Sequence, residues 1–241
     1  MDAQMTFKRY EVKYILTRRQ RDELIQAMAG HLALDMYGRT TIRNIYFDTD
    51  SFRLVRDSID RPLYKEKLRV RSYHRASEGS PVFVELKKKY EHVVYKRRLA
   101  LPHRLAMDAL ENGRPLPEDS QIAREIEAFR AFYGKTLKTA MLLCYEREAY
   151  APVDGTDFRL TLDENIRWRT ENIDLSGSAM GRMILPQDAV LMELKSPGGY
   201  PQWMVDFLSR NGIYKTSFSK YGAAYRQMMA DQNRKEVKQY A

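Results

Sequence analysis

The sequence predicts an α+β protein built on a closed antiparallel β-barrel of about eight strands, with helices packed outside. Three observations support this prediction. The candidate strands alternate apolar and charged residues, and a strand places alternate side chains on opposite faces. The charged face is mostly Arg and Lys, whose charges would repel one another on an open sheet. The pattern recurs in the other candidate strands, which favours a sheet closed on itself with the charges inside.

The alternation is clearest in residues 65–101, which we interpret as three successive strands. Their apolar face includes Leu68, Val84 and Leu99. Their other face collects Lys67, Arg69, Arg71, Phe83, Glu85, Lys87, Lys96 and Arg98. Such alternation is most often that of a sheet with one buried and one solvated face. The excess of cations indicates instead an interior that a polyanion occupies.

The chain before these strands shows strand and helix signals in turn. Residues 9–16 alternate, with Glu11 and Lys13 on one face, whereas Thr17 has the side chain of a helix N-cap. The predicted elements are a strand over 9–16, a helix from Thr17 to about residue 29, a strand over 39–48 and a short helix capped by Asp50.

After residue 101 the apolar spacing changes to three and four residues, which predicts amphipathic helices over 102–112 and 120–133. We interpret residues 102–134 as a helical insertion or crossover within a single domain that covers residues 1–241. The remaining predicted elements are strands over 137–151, 158–168 and 189–196, a loop over 175–186, helices over 202–211 and 219–232, and a frayed polar tail over 233–241.

The composition limits the class of protein and of partner. The 241 residues carry a net charge of +9 and a single cysteine, Cys144, so an internal disulfide framework is excluded. No stretch approaches the roughly 20 apolar residues of a membrane span, and the N-terminus lacks a signal-peptide core. We therefore expect a cytoplasmic protein. The positive charge predicts an acidic partner: nucleic acid, anionic lipid or a phosphorylated small molecule.

The charged strand faces together form the constellation with the most chemical content. It consists of Glu11, Lys13, Lys67, Arg69, Arg71, Glu85, Lys87, Lys96, Arg98, Arg147, Arg159, Asp163, Glu193 and Lys195. Ten of these residues are cationic and four anionic, and burying such a surplus without counter-charge is unfavourable. A chain of phosphates supplies that counter-charge, and a carboxylate can hold a divalent metal that bridges phosphate oxygens. The chain contains no P-loop, no dinucleotide-binding motif and no Cys/His metal spacing.

A series of short motifs follows the same order as in a known family. The motifs are RYEVKY, YFD at 46–48, LRVRSY, VFVELK, YKRR, YEREAY, FRLTLD, MELK and FSKY. The chain resembles the catalytic domain of the vacuolar transporter chaperone (VTC) polyphosphate polymerases, a branch of the triphosphate tunnel metalloenzymes. The resemblance covers nearly the whole chain.

The resemblance implies a tunnel of antiparallel strands that holds a triphosphate or polyphosphate chain. It implies catalytic, phosphate-holding roles for Lys13, Arg69, Arg71, Lys87, Lys96, Arg147, Arg159 and Lys195. It implies further substrate contacts from Glu11, Tyr145, Arg98, Ser219 and Lys220. Mn or Mg would be held by Glu193 of the ExK motif, with Glu85 as a second candidate ligand.

The chain departs from the family pattern in two respects. Arg9 replaces the first Glu of the ExExK motif that the wider superfamily carries on its first strand. The few carboxylates that remain favour a polymerase over a triphosphatase, which needs several for its metals. The regulatory SPX domain and the membrane spans of the eukaryotic polymerases are also missing. We therefore expect regulation and translocation to come from separate polypeptides, such as a separately encoded membrane partner.

Three functions are compatible with this sequence. In a polymerase, the terminal phosphate of a polyphosphate chain attacks the γ-phosphate of ATP and releases ADP, a reaction that needs positioning and charge stabilisation above all. The alternatives are a metal-dependent triphosphatase or nucleoside triphosphate hydrolase in the same tunnel, and a non-catalytic binder of polyphosphate or nucleic acid. Nucleic acid is the less favoured partner, because most strand aromatics (Tyr10, Tyr14, Tyr95 and Phe158) take the opposite parity from the charges.

Overall fold

A computed structural model describes residues 10–60, 62–91 and 93–239, with side chains as far as residue 234. The strands are β1 (Tyr10–Thr17), β2 (Leu32–Leu34), β3 (Thr40–Asp48), β4 (Tyr64–Ser72), β5 (Pro81–Tyr90), β6 (Val93–Pro102), β7 (Lys138–Pro152), β8 (Arg159–Arg169), β9 (Arg182–Met183) and β10 (Ala189–Ser196). The helices are α1 (Arg18–Ala27), α2 (Arg53–Asp60), α3 (His103–Asn112), α4 (Gln121–Tyr133), α5 (Gln202–Arg210) and α6 (Lys220–Gln239). A 3₁₀ turn, Gly134–Thr136, precedes β7.

The strands form an antiparallel sheet of ten strands in the order β1-β10-β8-β7-β3-β4-β5-β6, with β2 beside β7 and β9 beside β8. Sheet and helices together confirm the α+β class. The order ends at β1 and at β6, and within the described ranges no pairing joins these two strands. The predicted closed barrel is therefore not confirmed. None of the helices in this part of the chain combines the length and the apolar character needed to cross a bilayer.

The chain divides into two compact units, each assembled from three stretches of sequence. Unit 1 contains the described residues up to Thr40 together with Tyr145–Ile166 and Leu185–Phe218. Unit 2 contains Thr41–Cys144, Arg167–Ile184 and the described residues from Ser219 onwards. The single domain over residues 1–241, with its insertion at 102–134, stays a prediction.

In unit 1, the strand register separates an apolar face from a charged one. Val12 of β1 lies opposite Leu194 of β10, and Leu194 lies opposite Leu160 of β8. This apolar face packs against α1 and α5, which contribute Leu24 and Met204 to the buried core. Thr17 caps α1 as predicted, since its hydroxyl accepts a hydrogen bond from the Gln20 backbone N–H. The other face of the three strands carries most of their charged residues, with Ile15 opposite Leu191, and Leu191 opposite Asp163, at one end.

In unit 2, β3 to β6 present a second apolar face, which α3 and α4 cover. Leu68, Val84 and Leu99 are buried on it, together with Ile126 and Phe129 of α4. The two helices predicted between residues 102 and 133 are thus present, and their apolar residues point to the sheet.

The cap of α2 differs from the prediction. The buried carboxylate of Asp48 accepts hydrogen bonds from the backbone N–H groups of Leu54 and Val55, and the hydroxyl of Thr49 accepts one from that of Arg53. The predicted cap, Asp50, instead forms an ion pair with Lys138. The turn that precedes the helix explains the error, because it brings the end of β3 rather than residue 50 over the helix N-terminus.

Three further elements differ from the sequence expectation. The short strands β2 and β9 were not predicted, and β9 lies inside the segment 175–186 that was expected to be a loop. Helix α6 extends to Gln239, so the expected frayed tail is helical up to that residue. Residues 233–239 are mostly good helix formers, which continue a helix once its first turns are packed. Arg9 and the last two residues lie outside the described ranges.

Candidate functional site

The charged face of unit 2 forms a basic ladder, a term we use for Lys67, Arg69 and Arg71 of β4, Glu85 and Lys87 of β5, and Lys96 and Arg98 of β6. The strand register sets these residues in rows. One row consists of Lys67, Lys87 and Lys96, and the next of Arg69, Glu85 and Arg98. The residues predicted from alternation alone are therefore neighbours across three strands.

The buried carboxylate of Glu85 is the centre of the basic ladder. Its Oε2 atom lies 2.7 Å from Arg69 Nη2 and 3.8 Å from Arg71 Nε. Its Oε1 atom lies 2.6 Å from Arg98 Nη2 and 2.8 Å from Lys96 Nζ. Burial would raise the pKa of Glu85, but the charges of Arg69, Arg71 and Lys96 overcome that effect and hold the pKa well below its ordinary value. One permanent anion thus organises four cations and leaves a positive surplus.

Glu85 is a poor ligand for the predicted metal in this setting. A divalent cation there would meet four positive side chains within 4 Å of the same carboxylate. Parity along one strand places Glu85 on this face but does not show which residues lie beside it, so its role as a metal ligand stays a prediction.

Lys96 of the basic ladder has an ammonium pKa that is lowered towards neutral pH. Burial lowers the pKa of its ammonium group to about 8, the Glu85 carboxylate raises it, and Arg98 and Arg71 lower it. Lys96 therefore changes its protonation state near neutral pH, where an added anion would favour the charged form.

Two residues of β3 that were not among the predicted site residues accept hydrogen bonds from arginines of the ladder. Arg69 Nη1 donates a hydrogen bond of 3.0 Å to the hydroxyl of Tyr46, and Arg71 Nε donates one of 2.9 Å to Asn44 Oδ1. Asn44 and Tyr46 are two residues apart on one strand, so the same parity argument could have found them. Both lie directly opposite the arginine that they hold.

The start of α6 is hydrogen-bonded to the basic ladder of unit 2. Lys67 Nζ donates to the hydroxyl of Ser219 at 3.2 Å, and that hydroxyl also accepts the backbone N–H of Gly222. Ser219 and Lys220, both predicted substrate contacts, therefore lie at the helix N-terminus, a position that favours anions.

A buried tyrosine completes this attachment. Tyr221 donates its hydroxyl to Asp48 Oδ2 at 2.8 Å, and its ring stacks on Tyr46 with a centroid distance of 4.4 Å. Burial raises the pKa of Asp48 even though its hydrogen bonds lower it. Tyr221 and Tyr46 thus connect the first turn of α6 to Arg69.

Unit 1 carries a second set, which we call the acid–base cluster: Glu11 and Lys13 of β1, Glu193 and Lys195 of β10, Thr161, Arg159 and Asp163 of β8, and Arg147 of β7. Its rows of opposed residues are Lys13, Glu193 and Thr161, and Glu11, Lys195 and Arg159. Lys13 Nζ lies 3.3 Å from Glu11 Oε1 and 3.8 Å from Glu193 Oε1. Charges of opposite sign are therefore mixed in this cluster, unlike in the basic ladder, although Lys195 lies beside the like-charged Arg159.

Arg147 and the buried Asp163 form a tight pair within this cluster. Arg147 Nε and Nη2 donate to the two oxygens of Asp163 at 2.6 and 2.7 Å, and Nη2 also lies 3.5 Å from Glu193 Oε2. Burial lowers the pKa of Arg147, but Asp163 raises it well above its ordinary value. The Arg147 guanidinium lies 5.2 Å from the ring of Tyr145, a residue that is itself buried.

Thr161 places a buried hydroxyl beside Glu193 in this cluster. Its hydroxyl oxygen is buried and has no hydrogen-bond partner within the ranges that the structure describes. It lies directly opposite Glu193, so both side chains are on the same face of the sheet. A buried hydroxyl without a partner is unfavourable. Together the two residues offer oxygen donors, which hard divalent cations such as Mg²⁺ and Mn²⁺ prefer.

Among the described residues, acidic, His and Cys side chains do not form a group of three or more that could hold a metal ion.

Comparison with known proteins agrees with this description. The family model of the VTC domain matches residues 8–229. A candidate adenylate cyclase from Bacillus halodurans shares 18% identity, with a TM-score of 0.55 over 87% of this chain and 92% of that one. A candidate adenylyl cyclase from Hippeastrum with a dominant triphosphatase activity shares 19% identity, with a TM-score of 0.56 over 90% and 94%. Both show the triphosphate tunnel metalloenzyme fold. Among curated proteins, none matches significantly.

Proposed function

Because this chain belongs to the VTC domain family, we propose that it is a polyphosphate polymerase that transfers the γ-phosphate of ATP to a growing polyphosphate chain. The observation that carries the proposal is the basic ladder. Its four cations around Glu85 keep a positive surplus in a fixed arrangement, which matches a linear polyanion. We further propose that the protein is cytoplasmic and that any membrane partner is a separate polypeptide.

The ladder's residues have distinct uses in such a reaction. Arg69 presents a planar guanidinium group, which can hold two phosphate oxygens, whereas Lys67, Lys87 and Lys96 act as point charges. Glu85, Tyr46 and Asn44 orient the arginines before substrate arrives, so little reorganisation is needed on binding.

The proposed reaction needs no general base. The attacking group, the terminal phosphate of the chain, is already an anion, so the protein has only to position it and to neutralise charge. Lys13, Arg147 and Lys195 of the acid–base cluster, with the neighbouring Arg159, are the unit 1 residues that we assign to phosphate oxygens.

We propose that Mn or Mg is held by Glu193, with Thr161 as a neighbouring oxygen donor. When bound, such a metal would neutralise the charge on the oxygens of the transferring phosphate. Lys13 and Arg147 remain beside Glu193 and fix its orientation. Glu85 is left out of this role because of the cations that surround it.

A metal-dependent triphosphatase is the second candidate function, favoured by the activity of the structurally similar Hippeastrum protein. The scarcity of carboxylates speaks for the polymerase, since among the described residues no cluster of three metal ligands exists. ATP and polyphosphate are the partners that we propose in either case.

Product analysis separates these functions. The protein is incubated with ATP and Mn²⁺, and the products are resolved by gel electrophoresis alongside a free-phosphate assay. Phosphate chains and ADP support the polymerase. Free phosphate without chains would establish the triphosphatase, and no turnover despite tight binding of tripolyphosphate would leave a binding protein.

Replacement of Glu193 tests the metal assignment. Glu193→Gln should produce no polyphosphate yet bind tripolyphosphate at least as well as wild type, because the cluster becomes more positive. Glu23→Gln on the surface of α1, whose carboxylate lies 3.7 Å from Arg19 Nε, is the matched control and should retain full activity. Normal synthesis by Glu193→Gln would exclude Glu193 as the metal ligand.

A further inference from the structure

One end of the basic ladder carries an aromatic pair, Tyr73 and Phe83. Phe83 is two residues from Glu85 on β5 and lies on the charged face, and Tyr73 follows the end of β4. The two rings meet edge to face, with centroids 5.5 Å apart and planes at 81°. Both side chains are partly exposed. Most other aromatic residues of the predicted strands take the opposite face from the charges.

Arg98 joins the aromatic pair to the ladder. Its guanidinium lies 4.6 Å from the centroid of the Phe83 ring, and its Nη2 donates a 3.0 Å hydrogen bond to the Tyr73 hydroxyl. The same Nη2 lies 2.6 Å from Glu85. The orientation of the aromatic pair is therefore tied to the carboxylate that organises the cations.

The strand beside Phe83 leaves space next to its ring. Ala100 of β6 lies directly opposite Phe83, is exposed and has only a methyl group. The preceding residues on this face of β6, Lys96 and Arg98, are long and cationic. The face thus changes from long charged side chains to a shallow aromatic surface.

The spacing along β5 suits an elongated ligand with a charged and an aromatic end. Lys87, Glu85 and Phe83 follow one another at intervals of two residues, and a strand rises about 3.3 Å per residue, so Lys87 and Phe83 are about 13 Å apart. An extended nucleoside triphosphate has this kind of layout, with its phosphates at one end and a flat base at the other.

We propose that Phe83, Tyr73 and Arg98 form a platform for the base of a nucleoside triphosphate whose phosphates occupy the basic ladder. This inference rests on the proposed function, because it takes the ladder as a phosphate site, and it goes beyond it by naming what distinguishes ATP from an inorganic triphosphate. Stacking on the aromatic surface and on the guanidinium plane requires no particular base edge. The platform therefore selects nucleotides over inorganic chains without selecting one base strongly.

The test compares two ligands with the same number of phosphates. Isothermal titration calorimetry measures the Kd of a non-hydrolysable imido analogue of ATP and of inorganic tripolyphosphate, both with Mg²⁺, for wild type and Phe83→Leu. The substitution should weaken the nucleotide about 5- to 150-fold, the range that corresponds to about 1–3 kcal/mol per stacked base, and change tripolyphosphate less than about 2-fold.

Two control variants keep the result interpretable. Phe83→Tyr retains the ring and should restore nucleotide affinity to within about 2-fold. Tyr95→Leu removes an exposed aromatic from the opposite face of β6 and should change neither Kd. A merely structural role of Phe83 would weaken both ligands alike, because it would act through the ladder.

The outcomes separate this inference from the proposed function. Equal weakening of both ligands, or no weakening of either, in Phe83→Leu would overturn the platform and leave the phosphate site standing. A wild-type protein that does not bind tripolyphosphate would overturn the phosphate site and the platform together. A variant that does not fold, as shown by its thermal melt, moves the test to Phe83→Met, which keeps an unbranched apolar side chain without the ring.

Discussion

Glu85→Gln is the substitution that probes the basic ladder most directly. It removes one negative charge from the centre of four cations and keeps the size of the side chain. Loss of one partner from a buried ion pair costs about 3–5 kcal/mol, because the remaining charges stay without compensation. Lys96 and Arg98 are 44% and 37% exposed, so water screens part of that cost. We expect the free energy of unfolding to fall by about 2–3 kcal/mol.

For a chain of this length, such a loss corresponds to a decrease in Tm of about 5–10 °C. The assay is a thermal melt at pH 7 with and without tripolyphosphate. A ligand at about 100 times its Kd adds roughly 2.7 kcal/mol of stability. The variant's ladder has one more uncompensated positive charge, so tripolyphosphate should raise its Tm by more than it raises that of wild type.

The difference in stability between wild type and Glu85→Gln should depend on pH in one direction. Because the folded state holds the pKa of Glu85 well below its ordinary value of 4.5, the stabilisation is complete above about pH 4.5 and is lost as pH falls towards the lowered pKa. The Tm values of wild type and variant should therefore converge only at strongly acidic pH.

Glu125→Gln is the matched control for this experiment. Glu125 accepts a 2.9 Å hydrogen bond from Arg97, which lies on the opposite face of β6, and both side chains are partly exposed. Its removal should cost about 1 kcal/mol or less. Equal losses in the two variants, or a smaller response of Glu85→Gln to tripolyphosphate, would refute the view that Glu85 organises the ladder's charge.

Two further predictions concern Lys96 and Tyr221. Because the pKa of Lys96 is about 8, tripolyphosphate should bind with proton uptake near that pH and bind more weakly as pH rises from 7 to 9; calorimetry in buffers of different ionisation enthalpy measures the uptake, which Lys96→Met should abolish. Tyr221→Phe leaves the buried carboxylate of Asp48 without one donor and should lower the free energy of unfolding by about 1–3 kcal/mol in urea denaturation. Tyr225→Phe should stay within about 0.5 kcal/mol of wild type, and equal effects of the two would contradict the assignment.

The charged face of unit 2 was predictable because side chains alternate along every strand. Lys67, Lys87 and Lys96 were assigned to one face from the sequence, and the register sets them in one row. Alternation does not depend on distant parts of the chain, so the sequence of one strand is sufficient to assign its residues to the two faces. Closure of the barrel depends on whether β1 meets β6, which no local pattern specifies.

The environment of single residues was harder to predict for the same reason. Glu85 was expected to be a metal ligand, but its neighbours on β4 and β6 make it the anion at the centre of a cationic set. The bond between Asp48 and Tyr221 joins residues 173 positions apart and leaves no local signal. Interactions across strands and between distant helices therefore had to come from the structure.

The pairing of β1 with β10 has a consequence for synthesis of the protein. Thr17 pairs with Ala189, so β1 leaves the ribosome about 170 residues before its partner. At a synthesis rate of about 5–20 residues per second, the backbone edge of β1 stays unpaired for roughly 10–30 s before β10 is made. An unpaired strand edge is a template for aggregation, and charged side chains are a common defence against it. We therefore expect Glu11 and Lys13 to keep the nascent strand from pairing with other chains before any phosphate is bound.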